Sequence, residues 1–503
     1  MMETTNDQNE RLTLESVFIE EDVFVKVAVQ LDSYSLKNLE RTAVSFWNLV
    51  KRTKVWKKKF LGEYPDFSTN PANSDIIERE KHQHHWDEHF KFKKLFLKLS
   101  TLESNWFQRN YIKRSQVLAG ESEQISYFDS SYLLSSSFEQ FFSTVTSLKE
   151  INRLTSVHQF PSEPRFQVRS AHVDRGLLAM FGEPQLSEVL DYDYNFKIRI
   201  FSLDTRVTLR AESEVMHEND VTLWSQVKIC KDNIVLYVTD YKSIFGHQDD
   251  VRYETVHLFT LPPASETGDE SPALLIPTQR ISLEQYPKFL RRSYFDDEFV
   301  VGVRKNNTMV KIWDLRSPVA DADNHDRLRA PEVWSCDVSY GNLIKCTCVS
   351  LQHPLILVGK NNGWVDVWDT QCNTRVKSLV HGHSREHETH LRLEKIVLIK
   401  HLILTLSSEG KIYIWDKRKV LELEETRVVS EPEWTVKSTK KGLSISDFTA
   451  DETKIVTVET EFSVNTSHIV TYDFWHLRKP NQFTSVKHTI SYEGINPQKR
   501  RKK

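Results

Sequence analysis

The sequence has little of what marks a secreted or membrane-embedded protein. It contains only 5 cysteines, an odd and sparse number that argues against a disulfide framework. Its longest apolar run, IVLIKHLILTL from Ile396, is interrupted by Lys400 and His401 and is too short to span a bilayer. The N-terminal stretch MMETTNDQNER lacks the basic start and apolar run of a signal peptide. We therefore expect a cytoplasmic or nuclear protein with no membrane segment.

The sequence also lacks an excess of charge of one sign. Its 67 Lys and Arg against 70 Asp and Glu give a formal net charge of -3, so no global field attracts nucleic acid or acidic lipid. One local basic cluster surrounds Trp56 and comprises Lys51, Arg52, Lys54, Lys57, Lys58 and Lys59. We interpret it as a solvated helix face, with nucleic acid or an acidic protein as the alternative partners, and expect no nucleic-acid function.

Catalytic motifs are missing as well. The sequence has no Gly-rich phosphate loop, no nucleophile elbow, no His-Glu-x-x-His and no paired CxxC. Two histidine-rich stretches, KHQHHWDEHFKF from Lys81 and HGHSREHETH from His381, are interpreted as polar surface because neither supplies a fixed ligand geometry. Cys346 and Cys348 lie two apart, which in a regular strand places both on one face, and are predicted to be core residues. We predict no catalytic residue, metal or cofactor.

The first quarter of the chain has the apolar spacing of amphipathic helices. Phe24, Val27 and Leu31 form one stripe, and a turn with a helix cap is predicted at DSYS from Asp32. Two further segments carry Leu36, Leu39, Ala43, Phe46 and Trp47, then Leu49, Val55, Trp56 and Phe60. Three short helices are thus predicted within residues 13–62, after a flexible stretch at 1–12. So small a module has an apolar surface that needs a partner.

A further helix is predicted beyond a loop. Asp75 and Glu78 have the spacing of a capping box, which opens a helix running towards Leu99. Residues 75–111 are therefore assigned to linker helices.

The helical stretch resembles an F-box in IEEDVFVKVAVQLDSYSL from Ile19, SFWNLV from Ser45 and VWKKKF from Val55. In that family the segment docks on the Skp-type adaptor and thereby on the cullin of an SCF ubiquitin ligase. The resemblance implies an adaptor-binding apolar set of Ile19, Phe24, Val27, Leu31, Leu36, Phe46, Trp47 and Trp56. The alternative is a set of helices that only packs on the rest of the chain.

Beyond residue 112 the pattern changes to alternating, β-branched runs that predict strands. Three segments are near copies of one another: MVKIWDLR from Met309, WVDVWDT from Trp364 and KIYIWDKR from Lys411. They match the WD-repeat signature of a four-stranded propeller blade. The structural residues expected from this signature are Trp313, Asp314, Trp368, Asp369, Gly382, His383, Trp415 and Asp416. The tryptophans are predicted to pack between blades and the aspartates to fix turns.

Weaker copies extend the array to residues 112–479. The positions predicted to be equivalent are Thr146, Phe201, Phe259, Trp313, Trp368, Trp415 and Tyr472. The last unit supplies only three strands, GLSISDF, KIVTVET and SHIVTYDF, so the strand near residues 112–118 is predicted to complete it. Residues 480–503 form a basic tail whose KRRKK is interpreted as either a nuclear signal or a solvated tail.

The repeats are longer than the ~40–45 residues of a typical blade. The extra length falls in segments 182–194, 245–253, 265–272 and 320–331. Because loops carry most binding functions, these insertions are predicted to face partners.

Most of the chain resembles the F-box/WD-repeat substrate receptors, most specifically over residues 19–60 and 309–418. This resemblance implies a mainly β fold, a seven-bladed WD-repeat β-propeller preceded by a small all-α F-box-like module. It also implies a non-catalytic adaptor that holds a protein substrate, often a phosphorylated one, for ubiquitination. The alternative is a WD-repeat scaffold that assembles a complex without a ligase. The substrate pocket is not predicted.

Overall fold

The structure, a computed structural model, consists of two units, Met1–Asn110 and Tyr111–Lys503. It describes residues 21–64, 88–109, 111–117, 123–128, 132–137, 142–147, 156–161, 166–174, 177–184, 196–203, 208–215, 221–230, 233–242, 251–261, 273–285, 294–304, 308–320, 328–338, 344–381, 391–422, 428–429, 431–438, 442–461, 466–474 and 486–489. Within these residues the first unit is helical and the second is mainly β.

The helical unit contains α1 (Glu21–Gln30), α2 (Ser33–Thr42), α3 (Val44–Arg52), α4 (Val55–Glu63) and α5 (Glu88–Gln108). The predicted cap is confirmed, since Asp32 Oδ1 accepts the backbone N–H groups of Tyr34 and Ser35, each at 2.8 Å. Residues 21–63 form four helices where three were predicted, because extended Ala43 separates α2 from α3 and left-handed Lys54 separates α3 from α4.

Helix α5 completes the core of the helical unit. Trp56 packs on Phe96 with a ring-centroid distance of 5.5 Å, and Phe60 packs on Phe92 at 5.4 Å. On the same helix Leu95, Leu99 and Leu102 are buried. The first helices were predicted to need a partner for their apolar surface. Helix α5, which the sequence assigned to a linker, covers part of that surface within the unit.

In the described residues, the β unit contains seven sheets. Sheet 1 is β2 (Glu123–Phe128), β3 (Tyr132–Ser137), β4 (Phe142–Ser147) and β5 (Ser156–Pro161). Sheet 2 is β6 (Phe166–Asp174), β7 (Leu177–Pro184), β8 (Phe196–Ser202), β9 (Thr208–Val215) and β13 (Ala273–Leu274). Sheet 3 is β10 (Val221–Cys230), β11 (Asn233–Lys242), β12 (Val251–Thr260), β14 (Pro277–Gln285), β19 (Leu328–Arg329) and β18 (Val319–Ala320).

In three of the remaining sheets, four strands that follow one another in the sheet's own repeat again lie side by side. Sheet 4 is β15 (Tyr294–Phe295), β16 (Phe299–Arg304), β17 (Met309–Asp314) and β20 (Glu332–Asp337). Sheet 5 is β21 (Cys346–Gln352), β22 (Leu355–Lys360), β23 (Trp364–Asp369), β24 (Thr374–Val380) and β28 (Val428–Val429). Sheet 6 is β25 (Leu393–Ile399), β26 (Leu402–Ser407), β27 (Lys411–Asp416) and β29 (Trp434–Lys437), with helix α6 (Lys417–Glu422) after β27.

Sheet 7 joins distant parts of the chain. Its order is β30 (Leu443–Ala450), β31 (Lys454–Glu461), β32 (Thr466–Asp473), β1 (Ile112–Val117) and β33 (Val486–Thr489). Strand β1 runs antiparallel to β32, from the pair Ile112 and Asp473 to the pair Val117 and His468. The prediction that the N-terminal strand completes the last unit is confirmed. Strand β33, inside the segment predicted to be a tail, runs parallel to β1.

Consecutive sheets pack face to face. Apolar clusters fill the spaces between sheets 1 and 2, 2 and 3, 3 and 4, 4 and 5, and 5 and 6. Sheets 6 and 7 are joined by Trp434 against Phe474 and by an ion pair of 3.0 Å between Lys395 and Asp447. First strands of neighbouring sheets contact each other, for example β6 with β10 and β21 with β25, so first strands lie innermost. The predicted β-propeller is confirmed, and its count of seven blades in one ring stays a prediction.

All positions predicted to be equivalent lie in the third strand of their sheets. These are Thr146, Phe201, Phe259, Trp313, Trp368, Trp415 and Tyr472 in β4, β8, β12, β17, β23, β27 and β32. In sheets 1 to 5 the pairing with the fourth strand shifts register immediately before this position. A shared irregularity at the same position shows that the weak copies occupy the same place in their sheets as the Trp-Asp copies.

A second register shift recurs in the first strand of every sheet except the fourth. In sheet 5 it falls between Cys346 and Cys348. Cys346 therefore packs between sheets 4 and 5, whereas Cys348 packs between sheets 5 and 6. Both are core residues as predicted, but their assignment to one face was wrong, because a bulge reverses the alternation of side chains.

Long connections between third and fourth strands add a parallel fifth strand to the preceding sheet. The β12–β14 connection supplies β13 to β9 of sheet 2, and the β17–β20 connection supplies β19 to β14 of sheet 3. The β27–β29 connection likewise supplies β28 to β24 of sheet 5. The insertions predicted at 265–272 and 320–331 lie in or beside these connections. Their described flanks cover sheet edges, so the extra length is used at least partly for pairing rather than for exposed binding loops.

We predict that sheet 7 depends on Tyr111, the residue before β1. Its ring stacks on Trp434 with a centroid distance of 6.0 Å and meets Tyr472 at 5.2 Å and Phe474 at 5.5 Å edge-on. Tyr111→Ala should lower the free energy of unfolding by about 2–3 kcal/mol, measured by urea denaturation, because these ring contacts are lost. Tyr111→Phe, which keeps the ring, should stay close to wild type. Equal stability of the Ala and Phe variants would contradict this account.

Candidate functional site

The predicted adaptor-binding residues divide into an interior group and a surface group. Phe24, Leu36, Phe46 and Trp56 are buried inside the helical unit. Val27, Leu31 and Trp47 keep exposed or half-buried side chains. Ile19 lies outside the described residues. The first group therefore holds the helices together, and only the second offers surface to a partner.

A buried polar network fixes Trp56 in the helical core. Its Nε1 donates to Glu40 Oε1 at 2.8 Å, and the second oxygen of Glu40 pairs with Lys93 of α5. The Glu40 side chain is almost completely buried, so its charge is balanced by Lys93 rather than by water. The Lys93 ammonium also lies over the Trp56 ring, 5.6 Å from its centroid. These contacts tie α2, α4 and α5 to one another.

Large apolar side chains are exposed on this filled core. Val27 of α1 is 44% exposed, Tyr34 of α2 73% and Val44 of α3 76%. Leu61 of α4 is exposed as well. Scattered exposure of this kind is common, but here it occurs on each of four consecutive short helices. The helical unit thus presents aliphatic and aromatic surface that its own core does not use.

The basic cluster is only partly the solvated face that was predicted. Lys59 is buried and its Nζ donates to the carbonyl of Val29 at 3.0 Å. Lys57 lies over the Phe92 ring and Lys51 over the Trp47 ring. Three of the cations are therefore used in packing within the unit, which weakens the interpretation of the cluster as a nucleic-acid site.

A histidine links the repeats at the junction of sheets 5 and 6. His381, directly after β24, has its Nδ1 2.6 Å from the carbonyl of Gly363 and its Nε2 2.6 Å from Thr405 Oγ1. Trp415 Nε1 donates to the same Thr405 oxygen at 3.3 Å. One tautomer satisfies all three contacts: Nδ1–H donates to Gly363 and Nε2 accepts from Thr405.

The predicted Gly382 and His383 lie outside the described residues. The adjacent His381 makes the structural contacts, and the signal that could have found it is the HGH triplet, which contains two histidines.

The three Trp-Asp aspartates fix turns as predicted. Asp314 accepts the Arg316 N–H at 2.8 Å, and Asp416 accepts the Arg418 N–H at 3.0 Å. Asp369 accepts the N–H groups of two residues in the β23–β24 turn. Hydrogen bonds from the Arg316 side chain hold the pKa of Asp314 below its ordinary value. These carboxylates therefore have hydrogen-bond partners within their turns.

The tryptophans pack between sheets, also as predicted. Trp313 and Trp415 are buried, and Trp368 lies edge-on to Trp334 with a centroid distance of 6.0 Å. Gly302 lies against Trp313, where an added Cβ would be 2.9 Å from the indole ring. Any larger residue at this position would displace the tryptophan.

Burial alters the titration of several groups in the β unit. Burial lowers the pKa of His381 to about 4. Burial, together with the positive charge of Lys228, lowers the pKa of His172 to about 3. His172 Nδ1 accepts the N–H of Ile229 at 3.2 Å, which requires that nitrogen to be unprotonated. Burial raises the pKa of the Cys336 thiol to about 12, so this thiol is unreactive.

The described side chains include no group of three or more His, Cys, Asp or Glu placed to hold a metal ion. None of the helices in the part of the chain that is described has the length and apolarity needed to cross a membrane.

No family model and no curated protein matches this chain. Among solved structures it is similar to the computationally designed protein Ika8, with 12% sequence identity and a TM-score of 0.41. The similarity covers 71% of this chain and 98% of the designed one. Similarity at this level is not evidence for the fold, which is assigned from the strand pairing described above.

We predict that Glu40→Ala loosens the helical unit, because Lys93 and the Trp56 indole lose a buried partner. The free energy of local unfolding should fall by about 3 kcal/mol, which corresponds to about a hundredfold faster amide exchange in peptides from α4 and α5. Hydrogen–deuterium exchange with mass spectrometry on the full chain measures this locally. Glu40→Gln, which keeps the acceptor for Trp56, should show a smaller effect. Unchanged exchange in the Ala variant would exclude a structural role for this network.

We also predict that acid destabilises the β unit through His381. Its pKa lies near 4 in the folded chain and near 6.5 in the unfolded chain, so only the unfolded chain takes up this proton between those values. Stability should therefore fall as the pH drops from about 6.5 towards 4, by about 1.4 kcal/mol per pH unit from this residue.

The measurement is urea denaturation of wild type and His381→Gln across this pH range. The variant should be less stable at neutral pH and show a shallower decline on acidification. His172 contributes a parallel decline in both proteins. An identical slope in the two would contradict the assignment.

Proposed function

We propose that this protein is the substrate-recognition adaptor of an SCF-type ubiquitin ligase, with the helical unit docking on a Skp-type adaptor and its cullin. The observation that carries the proposal is the exposure of Val27, Tyr34 and Val44 on helices whose core is already filled by Trp56 and α5. Apolar residues that stay exposed outside a filled core favour a docking surface over helices that only pack on the rest of the chain. The F-box-like motif covers the same helices.

We propose further that the seven sheets are WD-repeat blades of a single ring. Six consecutive sheet pairs are packed together, and β1 adds the fourth strand to the last sheet. The contact between sheets 7 and 1 that would complete the ring is part of this proposal. The His381 network supports the repeat assignment, because it joins the end of one unit to the signature tryptophan of the next.

In this function the protein performs no chemistry of its own. The propeller binds a protein substrate, and the ligase subunits held by the helical unit transfer ubiquitin to it. Holding both together raises the effective concentration of substrate lysines at the transferring enzyme. Arg and Lys side chains on the propeller would bind the substrate if it is phosphorylated, since guanidinium and ammonium groups pair with phosphate. A cytoplasmic or nuclear location belongs to the same proposal.

We predict that a purified Skp-type adaptor with its cullin captures the wild-type chain but not a Val27→Asp/Val44→Asp double variant. Capture should fall at least about tenfold, because two carboxylates replace apolar side chains at the docking surface. Ile276→Asp makes the same kind of change at an exposed position of the β unit and should bind normally. Trp56→Ala is not a docking variant, since its loss would disturb the helical core.

The outcomes separate the two classes of function. Loss of capture in the double variant, with amide exchange of α4 and α5 unchanged, supports the adaptor role. Failure of the wild type to bind, with both units folded, would leave the alternative of a scaffold without a ligase.

A further inference from the structure

Tyr34 is the exposed aromatic residue of the docking surface proposed above. Its side chain is 73% exposed and makes no hydrogen bond or ring contact with any described residue. Of the seven tyrosines whose side chains are described, it alone is exposed. The others are buried or half-buried, and they are Tyr64, Tyr111, Tyr237, Tyr294, Tyr413 and Tyr472. The phenol hydroxyl of Tyr34 is therefore accessible to an enzyme that modifies proteins.

The backbone at Tyr34 lies at the end of a helix, where a helix opens most easily. Tyr34 is the second residue of α2, and its N–H donates to the Asp32 carboxylate rather than to a helical carbonyl. Asp32 itself is extended, with φ -63 and ψ 165. Because few backbone hydrogen bonds close the first turn of a helix, that turn opens at low cost. Opening presents Tyr34 in the extended conformation that a protein kinase binds.

The folded helix accommodates a phosphate at this position. A phosphate near the N-terminus of a helix interacts favourably with the helix dipole. Lys37 follows at the i+3 position, one turn along the same helix, and makes no ion pair with a described residue. The charge of Asp32 is offset by the N–H groups of Tyr34 and Ser35 and by the Ser35 hydroxyl. Phosphorylation of Tyr34 should therefore leave α2 folded.

The docking surface does not accommodate the same phosphate. Besides Tyr34 it consists of Val27 and Val44, whose side chains are apolar. A phosphate adds a charge of about -1.5 to -2, which has to lose its water when an apolar partner covers it. Docking of the helical unit and phosphorylation of Tyr34 therefore exclude each other.

We propose that Tyr34 is a phosphorylation site whose modification releases the helical unit from its adaptor. This inference rests on the proposed function, since adaptor docking is the event that phosphorylation prevents. The Tyr34 phenol oxygen attacks the γ-phosphorus of ATP held by a tyrosine kinase, the bond from that phosphorus to the β–γ bridging oxygen breaks, and ADP leaves. The phenol proton passes to the carboxylate base of the kinase.

The test treats the full chain with a purified tyrosine kinase and Mg²⁺-ATP and compares wild type with Tyr34→Phe. Tandem mass spectrometry should locate phosphate on Tyr34 of the wild type. Capture by the Skp-type adaptor should then fall at least about tenfold for the modified wild type. Capture of Tyr34→Phe after the same treatment should be unchanged, which controls for phosphate on other tyrosines.

Two further measurements separate an effect on docking from an effect on folding. Hydrogen–deuterium exchange in peptides from α2 to α5 should be the same before and after phosphorylation. Removal of the phosphate by a tyrosine phosphatase should restore capture of the wild type.

Three results would overturn the proposal. They are the absence of phosphate on Tyr34, equal capture before and after its phosphorylation, and a loss of capture accompanied by faster exchange throughout the helical unit. In the last case unfolding, rather than charge at the docking surface, would be the cause. If the unmodified wild type is not captured, the proposed function fails and the switch fails with it, whereas the modification of Tyr34 is still decided by the mass spectrum.

Discussion

A strand at the edge of a sheet exposes a row of unpaired N–H and C=O groups, which is unfavourable and invites pairing with other chains. In most of the described β unit these edges are paired. Strand β1 covers β32 of the last sheet, and β33 in turn covers β1. Short parallel strands from the next sheet cover β9, β14 and β24. Each such strand lies in the long connection between the third and fourth strands of the sheet that follows. Part of the extra length of the repeats therefore serves the pairing of outer edges, which adds to the apolar packing between neighbouring sheets.

The regular part of this arrangement could be predicted from sequence. The Trp-Asp copies ending at Asp314, Asp369 and Asp416 fixed the third strands, and the missing strand of the last unit indicated the pairing of β1. Other features could not be predicted. Bulges reverse the side-chain alternation on which strand assignment depends, and they separated Cys346 from Cys348. The fifth strands are only two residues long in three sheets, too short for any periodicity to appear.

In the helical unit, sequence indicated the helices and their apolar stripes but not which residues are free to bind. Phe24, Val27 and Leu31 lie on one stripe, yet Phe24 is buried and Val27 is 44% exposed. The reason is that Phe24 faces Phe46 of α3, with a ring-centroid distance of 6.5 Å, whereas Val27 does not face the core. Helical spacing describes one helix at a time, whereas burial depends on where its neighbours lie. Trp56 and Glu40 are core residues because α5, which comes later in the chain, packs on them through Phe96 and Lys93.

The pairing of β1 with β32 also constrains the order in which the protein can fold. During synthesis β1 emerges from the ribosome early, but its partner is made more than three hundred residues later, as the hydrogen bond between Lys113 and Tyr472 illustrates. Until then β1 and the growing array of sheets expose unpaired edges. Contacts so distant in sequence form slowly, and exposed edges favour aggregation. The nascent chain therefore needs protection, by chaperones or by rapid packing of successive sheets, until its last sheet is complete.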